Sequence, residues 1–241
     1  MIASLPMYER PENRGAHDRF WRAVQKELGY GPEQLSRDVP AWDVWHAPDL
    51  ILSQTCGMPY RNHLHGRVKL VLTPDYGLSD APGLYHSVFV ARSDDSADLD
   101  DYALRVFAFN EVGSQSGWAA PQCHAQERGY TFENTLQTHA HSASALAVAS
   151  GEADLASLDC VTWDMLKDED DFSGLKVIGR TAASPGLPYI TGLSRSATAV
   201  RSAVSSAIDR MQPDDLAALR LKGFVQFQPQ DYLRVPNPAL P

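Results

Sequence analysis

Residues 104–122 read LRVFAFNEVGSQSGWAAPQ. The first six residues form an apolar run typical of a buried strand, and the following Gly- and Ser-rich turn leads into a helix that we expect to begin near Ser116. A strand that is followed by a turn and then by the first turn of a helix brings unpaired backbone N–H groups and two hydroxyls to one point. Such a point is suited to binding an anion, although Ser114 or Ser116 in the role of a helix cap is the simpler alternative.

Apolar runs of the same kind alternate with helical patterns along the rest of the chain. This alternation predicts an α/β fold with largely parallel sheets flanked by helices. A helix over residues 196–211 is predicted because its apolar residues recur with helical spacing and would face a core. The apolar runs outside the opening stretch are IASLPM, DLILSQ, VKLVLTP, SVFVAR, LASLDC, LKVIGRT and LPYITGL.

The order of these runs suggests two lobes joined by short crossing strands. We interpret SVFVAR as the first crossing and LPYITGL as the return. One lobe is then discontinuous and comprises residues 1–87 and 187–241, and the other comprises residues 88–186. Hinges of this type need no long linker.

Composition limits the function. The chain has 241 residues and a formal net charge of -9, which opposes non-specific binding to nucleic acid. No apolar run approaches the roughly 20 residues of a membrane-spanning helix, so we expect no membrane insertion. Three cysteines without metal-type spacing and the lack of an export signal before the first strand predict a cytoplasmic protein as written, or a periplasmic one if a signal has been trimmed.

Two longer segments, residues 87–122 and residues 138–163 (THAHSASALAVASGEADLASLDCVTW), carry a resemblance to a known family. They resemble the phosphate, phosphite and phosphonate substrate-binding proteins of ABC transporters, which have the two-lobed type 2 periplasmic-binding fold with a ligand cleft between the lobes. The resemblance implies that a serine turn holds a small anion, that a histidine opening the next helix points at the ligand, and that an acidic residue lies nearby. The matching residues here are Ser114, Gln115, Ser116, Gly117, His141 and Asp159.

Further candidates for the ligand site follow other apolar runs, where the carboxyl ends of strands gather loops. Tyr8, Cys56, Tyr76 and Trp118 occupy such positions, and each aromatic residue has packing as its simpler alternative. Asp159 could accept a hydrogen bond from a protonated ligand oxygen or an amine, and a buried structural Asp is an equal alternative.

The motif THAH contains two histidines that could bind either a metal ion or an anion. On a strand, His139 and His141 would face the same side and could share a zinc ion, but the further ligands that zinc needs are not evident. We favour His141 as a hydrogen-bond donor to the anion, with a cationic form that strengthens as the pH falls toward about 6.5. We therefore expect no metal and no cofactor.

Two functions of different classes remain after this reading. The first is a binding protein that closes on a small oxyanion, with ABC transporter components as possible partners. The second is an enzyme on the same fold that acts on a small anionic or carboxylated metabolite. No motif for a nucleophile elbow, a phosphate-binding loop or a dinucleotide site is present, so catalytic residues are not predicted and binding is favoured.

Overall fold

The computed structural model describes residues 1–239. Within this range the chain divides into two compact units. Unit 1 comprises Met1–Leu84 and Pro185–Leu233, and unit 2 comprises Tyr85–Ser184 together with residues 234–239. The sequence analysis assigned the end of the chain to the first lobe. Residues 234–239 instead group with unit 2, where the backbone N–H of Ala239 donates to Gln126 Oε1 at 3.3 Å.

The described residues form thirteen strands. In chain order they are β1 (Ile2–Ser4), β2 (Leu50–Gln54), β3 (Val68–Leu70), β4 (Thr73–Asp75), β5 (Leu84–Tyr85), β6 (Ser87–Arg92), β7 (Phe107–Phe109), β8 (Thr135–Gln137), β9 (Leu155–Asp159), β10 (Leu175–Arg180), β11 (Ser184–Pro185), β12 (Tyr189–Gly192) and β13 (Gly223–Val225).

Nine α-helices are found in the same range. They are α1 (Arg14–Leu28), α2 (Ala41–His46), α3 (Gly57–Pro59), α4 (Ala120–Gln126), α5 (His141–Ser150), α6 (Cys160–Leu166), α7 (Ala197–Ile208), α8 (Pro213–Ala218) and α9 (Pro229–Leu233). Short π-helical turns cover Tyr60–Leu64 and Gln115–Ala119, and 3-10 turns cover Leu99–Tyr102 and Asp170–Phe172.

The sheet of unit 1 has the strand order β1-β2-β12-β3. Strands β1 and β2 are parallel, and β12 is antiparallel to both β2 and β3. Three strands therefore share one direction and β12 alone is reversed. The predicted return strand LPYITGL contains β12, which follows the passage of the chain into unit 1 at Pro185.

The sheet of unit 2 has the order β10-β6-β9-β7-β8. Strands β9, β7 and β8 are parallel, whereas β6 is antiparallel to β9 and to β10. The reversed strand here is β6, which is the predicted first crossing SVFVAR and follows the entry of the chain into unit 2 at Tyr85. The prediction of an α/β fold is confirmed, and each of the two larger sheets has one reversed strand among strands that otherwise share one direction; β4 pairs with β13 and β5 pairs with β11 in two further two-stranded sheets.

Helices α1 and α7 pack together against the sheet of unit 1. Phe20 and Val24 of α1 and Val200 and Val204 of α7 are fully buried in one apolar cluster. The predicted apolar stripe of residues 196–211 is therefore a core face, as its period indicated. Burial of such side chains, rather than intrinsic helix propensity, provides most of the stability of these helices.

Aromatic rings form the core of unit 2 and support the strand that leads into the serine turn. The rings of Phe107 and Phe132 stack with centroids 4.4 Å apart, and Phe89 and Tyr102 belong to the same cluster. Because Phe107 begins β7, this packing fixes the strand from which residues 110–117 emerge.

Truncating this core should destabilise the protein strongly. Phe132 is 2% exposed, and we expect Phe132→Ala to lower the free energy of unfolding by about 3–5 kcal/mol because it leaves a cavity beside Phe107. Leu104 is 91% exposed in the same unit, so Leu104→Ala should change stability by less than about 0.5 kcal/mol. Urea unfolding measures both values. Equal losses in the two variants would contradict the proposed core.

Candidate functional site

The serine turn begins directly after β7 and continues into a helical segment. The π-helical turn Gln115–Ala119 runs without a break into α4. Ser114 is the helix cap, because its Oγ accepts a hydrogen bond from the backbone N–H of Gly117 at 3.0 Å. The helix thus begins slightly earlier than the predicted position near Ser116, and the capping alternative holds for Ser114.

Ser116 connects the turn to two other elements of unit 2. Its side chain lies 3.0 Å from His141, measured from Oγ to Nε2, and its carbonyl accepts a hydrogen bond from Ser157 Oγ at 2.8 Å. Ser116 is only 3% exposed, and Ser157 on β9 is fully buried. The structure therefore brings together Ser116 and His141, which are separated by 25 residues in the chain.

His141 is the first residue of α5, as the resemblance implied. Burial lowers the pKa of its imidazole to about 4, and the backbone of Ser157 opposes this shift only in part. The residue is partly exposed, but its Nδ1 atom is buried and has no well-formed hydrogen bond within the described residues. The expected cationic form near pH 6.5 is therefore wrong for this structure, because burial keeps the ring neutral.

Gly117 is required by close packing. A Cβ atom added at Gly117 would lie 1.9 Å from Asn110 Oδ1 and 3.3 Å from His141 Cε1. Asn110 directly follows β7, and its Oδ1 is buried without a hydrogen-bond partner in the described residues. The sequence analysis did not name Asn110 as a site residue. A polar residue at the carboxyl end of a buried strand was the signal that would have identified it.

Asp159 has a structural role in this unit. The side chain is 2% exposed and caps α6, since Oδ1 accepts from the backbone N–H of Val161 at 2.7 Å and of Thr162 at 3.1 Å. This is the alternative that the sequence analysis held equal to ligand binding. Cys160, the next residue, is buried.

Two other predicted residues of the turn are packed into unit 2. Gln115 is 3% exposed. The indole of Trp118 lies against Phe109 with ring centroids 4.5 Å apart. Packing of Trp118 is therefore observed, and its place beside a ligand stays a prediction.

His139 does not occupy a strand. Its φ angle is +65°, which is the left-handed region, and it lies in the exposed bend between β8 and α5. His141 belongs to the helix that follows. The alternation that would place both rings on one face of a strand is absent at these residues, and the geometric basis for a shared zinc ion is lost.

Unit 1 contains the remaining predicted residues. The rings of Tyr8 and Tyr76 make an edge-to-face contact with centroids 5.1 Å apart, and Gln54 Nε2 donates to the Tyr76 hydroxyl at 3.2 Å. Cys56 is partly exposed and lies at the N-terminus of α3. A small cavity in this unit is lined by Tyr8, His17, Phe20, Gln54, Tyr76, Tyr189, Leu219 and Leu221.

His17 was not predicted to be near a site. Burial is the main cause that lowers the pKa of this histidine. It lies in α1 three residues before the core residue Phe20. The sequence signal for His17 was a polar residue among the apolar positions of α1. A histidine that is buried in the core with its hydrogen bonds made gives the same pattern.

The sequence was compared with models of protein families. A model described as an ABC transporter, phosphonate, periplasmic substrate-binding protein matches residues 52–232. The match extends over well more than half of the chain and includes the serine turn, His141 and Asp159. The chain belongs to this family. No curated protein matches the sequence.

Solved structures show the same fold at low identity. The binding protein component of an ABC phosphonate transporter from Pseudomonas aeruginosa has a TM-score of 0.73 and 17% identity, with 97% of this chain and 82% of the other covered. PhnD1 from Prochlorococcus marinus, in complex with methylphosphonate, has a TM-score of 0.75 and 16% identity, with 96% and 93% covered. A protein from Xanthomonas citri bound to ATP has a TM-score of 0.67 and 17% identity, with 93% and 90% covered.

The contact between Gly117 and Asn110 can be tested by a pair of substitutions. We expect Gly117→Ala to lower the free energy of unfolding by about 1–3 kcal/mol, because the added Cβ overlaps Asn110 Oδ1. Adding Asn110→Ala should restore most of this loss, since it removes the clashing atom. Gly113→Ala is the matched control, because a Cβ there meets nothing within 4 Å. Urea unfolding of the wild type, Gly117→Ala, Asn110→Ala and the double variant gives the coupling, with Gly113→Ala measured beside them, and strictly additive effects of the two substitutions would contradict the contact.

The buried neutral imidazole of His141 predicts a loss of stability in acid. Its folded pKa of about 4 lies below the value of about 6.5 in an unfolded chain, so the unfolded state binds the proton first. The contribution of His141 is thus fully present above pH 6.5 and is lost as the pH falls toward 4, by at most about 3 kcal/mol. In His141→Gln this part of the pH dependence should disappear.

The exposed neighbour supplies the control for this measurement. His139→Gln should leave the profile of unfolding free energy between pH 4 and 6.5 unchanged, because His139 is exposed. Denaturant titrations at several pH values compare the three proteins. A profile of His141→Gln identical to that of the wild type would show that the imidazole is not buried in the neutral form.

Proposed function

We propose that the protein binds a small phosphorus oxyanion, such as phosphate, phosphite or a phosphonate, as the substrate-binding component of an ABC transporter. The observation that carries this proposal is the buried pair Ser116–His141 at the start of a helical segment, with 3.0 Å between Oγ and Nε2. Membership of the phosphonate substrate-binding family supports it independently.

The serine turn offers hydrogen-bond donors to an anion, and these donors bind it without a net positive charge on the protein. Helix N-termini bind anions through backbone N–H groups that have no intrahelical partner and through the helix dipole. Ser116 adds a hydroxyl and His141 adds a ring nitrogen, while Gly117 keeps the backbone free of a Cβ at this point. Because these donors are local, the net charge of -9 does not oppose binding of a small anion.

Two of the predicted ligand contacts are engaged by groups of the protein itself, which favours the remaining ones. The backbone N–H of Gly117 is already engaged by Ser114 Oγ, and Asp159 is engaged by the first amides of α6. We therefore assign direct contact with the anion to Ser116 and His141. A ligand contact from Gln115 stays a prediction of the family resemblance. Contacts from Trp118, Tyr8, Tyr76 and Cys56 stay predictions from their positions after apolar runs.

Related structures differ in the ligand that their descriptions name. PhnD1 from Prochlorococcus marinus holds methylphosphonate, and the Xanthomonas citri protein of the same fold holds ATP. The fold alone therefore does not select the ligand. Both ligands carry phosphorus oxygens, which agrees with a turn built to accept such a group. The alternative of an enzyme on this fold receives no support from these comparisons.

The family description implies a permease as partner and the periplasm as the place of action. We propose the permease as the partner of this chain and the periplasm as its compartment, which is the second of the two compartments that the sequence analysis left open. No helix among residues 1–239 has the length and apolar character needed to cross a membrane. Fractionation of cells that produce the protein from its own gene distinguishes the two compartments.

Substitution of Ser116 tests the proposed function. Ser116→Ala removes one hydrogen bond to a charged ligand, which is worth about 1.5–3 kcal/mol, so the dissociation constant for methylphosphonate should rise about 10- to 100-fold. Ser142→Ala is the control, because Ser142 lies in the exposed first turn of α5, beside His141. Isothermal titration calorimetry with phosphate, phosphite, methylphosphonate, sulfate and malate measures the constants. Equal affinity in wild type and Ser116→Ala would refute the assigned site.

A further inference from the structure

Asn110 is a polar residue beside the Ser116–His141 pair in unit 2. It directly follows β7, and its carbonyl accepts a hydrogen bond from the backbone N–H of His139 at 2.9 Å. This bond ties the end of β7 to the loop that leads into α5. The backbone of Asn110 is therefore connected to both of the segments that carry Ser116 and His141.

The carboxamide of Asn110 lies against Gly117. A Cβ atom added at Gly117 would lie 1.9 Å from Oδ1 and 3.0 Å from Cγ of Asn110, and 3.3 Å from Cε1 of His141. Ser116 precedes Gly117 in the chain, and its Oγ lies 3.0 Å from His141 Nε2. Side chains from the end of β7, from the turn Gln115–Ala119 and from the start of α5 therefore meet around the Cα atom of Gly117.

The surroundings of the carboxamide indicate which of its ends is open to a ligand. Oδ1 is buried against the Cα atom of Gly117, whose C–H group is a weak donor and offers nothing to an N–H. Asn110 as a whole is partly exposed. Within the residues that the structure describes, Nδ2 makes no hydrogen bond and is not buried. The end that carries two N–H donors is therefore the open one.

We propose that Asn110 is a third binding residue of the anion site and donates through Nδ2 to an oxygen of the ligand. This inference rests on the proposed function, in which Ser116 and His141 contact the anion. The site then has three contacting side chains, one from each of three segments. It gains this third contact without a buried charge, because a carboxamide is neutral.

Three contact points define the class of ligand. A phosphonate ends in three oxygens arranged around one phosphorus atom, whereas a carboxylate ends in two oxygens that lie in one plane with its carbon. A carboxylate therefore leaves one of the three side chains without a partner, which a site built for hydrogen bonding penalises. The substrate class is an anion with a three-oxygen group, and carboxylates are rejected.

Calorimetry with methylphosphonate and acetate tests this selection, because the two ligands share a methyl group. In slightly acidic buffer each carries about one negative charge. We expect the wild type to bind methylphosphonate at least about tenfold more tightly than acetate, and acetate binding too weak to detect satisfies this expectation. Equal affinity of the wild type for the two ligands overturns the inference.

Substitution of Asn110 tests the residue itself. Asn110→Leu should raise the dissociation constant for methylphosphonate about 10- to 100-fold, because it removes a hydrogen bond to a charged ligand. Asn134→Leu is the matched control and should bind as the wild type does. Asn134 is exposed and precedes β8, at the opposite end of the sheet from Asn110. Wild-type affinity in Asn110→Leu overturns the inference.

Asn110→Asp is a second variant that keeps the shape of the side chain and the oxygen against Gly117. It replaces the donor with a carboxylate oxygen, which repels an anion. The affinity for methylphosphonate should therefore fall by more than about 100-fold. Urea unfolding shows which variants are folded, and a folded Asn110→Asp that binds as the wild type does overturns the inference.

NMR of the side-chain amide groups gives a readout in the unsubstituted protein. Loss of a signal in Asn110→Asp or Asn110→Leu assigns the NH2 group of Asn110. With saturating methylphosphonate this signal should shift and its exchange with water should slow, whereas the NH2 signal of Asn134 should stay unchanged. An Asn110 signal that does not respond at saturation overturns the inference. If neither methylphosphonate nor phosphate binds the wild type, the proposed function fails instead, so the two failures are distinguishable.

Discussion

The buried hydrogen bond between Ser116 and His141 is the interaction on which the account of this protein depends. It joins the helical turn that follows β7 to the first residue of α5. In the same turn, the carbonyl of Ser116 accepts a hydrogen bond from Ser157 Oγ of β9. The helical turn Gln115–Ala119, the start of α5 and strand β9 are thereby connected at one point by hydrogen bonds. Because burial keeps the imidazole of His141 neutral and Ser116 carries no charge, the arrangement holds no buried ion and needs no counter-ion.

This arrangement explains why the neighbouring residues are small or polar. Gly117 lies between Asn110 and His141 at distances that leave no room for a side chain. Asn110 Oδ1 and His141 Nδ1 are both buried in this region without a hydrogen-bond partner in the described residues, and a buried polar atom of this kind loses about 1–3 kcal/mol relative to water.

The fold was largely predictable from the sequence, and the site was predictable in part. The apolar periods of α7 and of the strands identified core faces, because burial depends on patterns that a sequence shows directly. The runs SVFVAR and LPYITGL were interpreted as crossings between lobes, and that they contain the reversed strands of the two larger sheets was not predicted. The protonation state of His141 and the capping role of Asp159 were not predictable. Both depend on long-range burial and on which backbone groups a side chain meets, and no local pattern encodes these.

A crystal structure of the protein grown with methylphosphonate tests the central claim most directly. We expect density for the phosphonate at the serine turn, with one oxygen within about 3.2 Å of Ser116 Oγ and a second near His141 Nε2. A phosphonate bound away from both residues would contradict the assignment of Ser116 and His141 to the ligand.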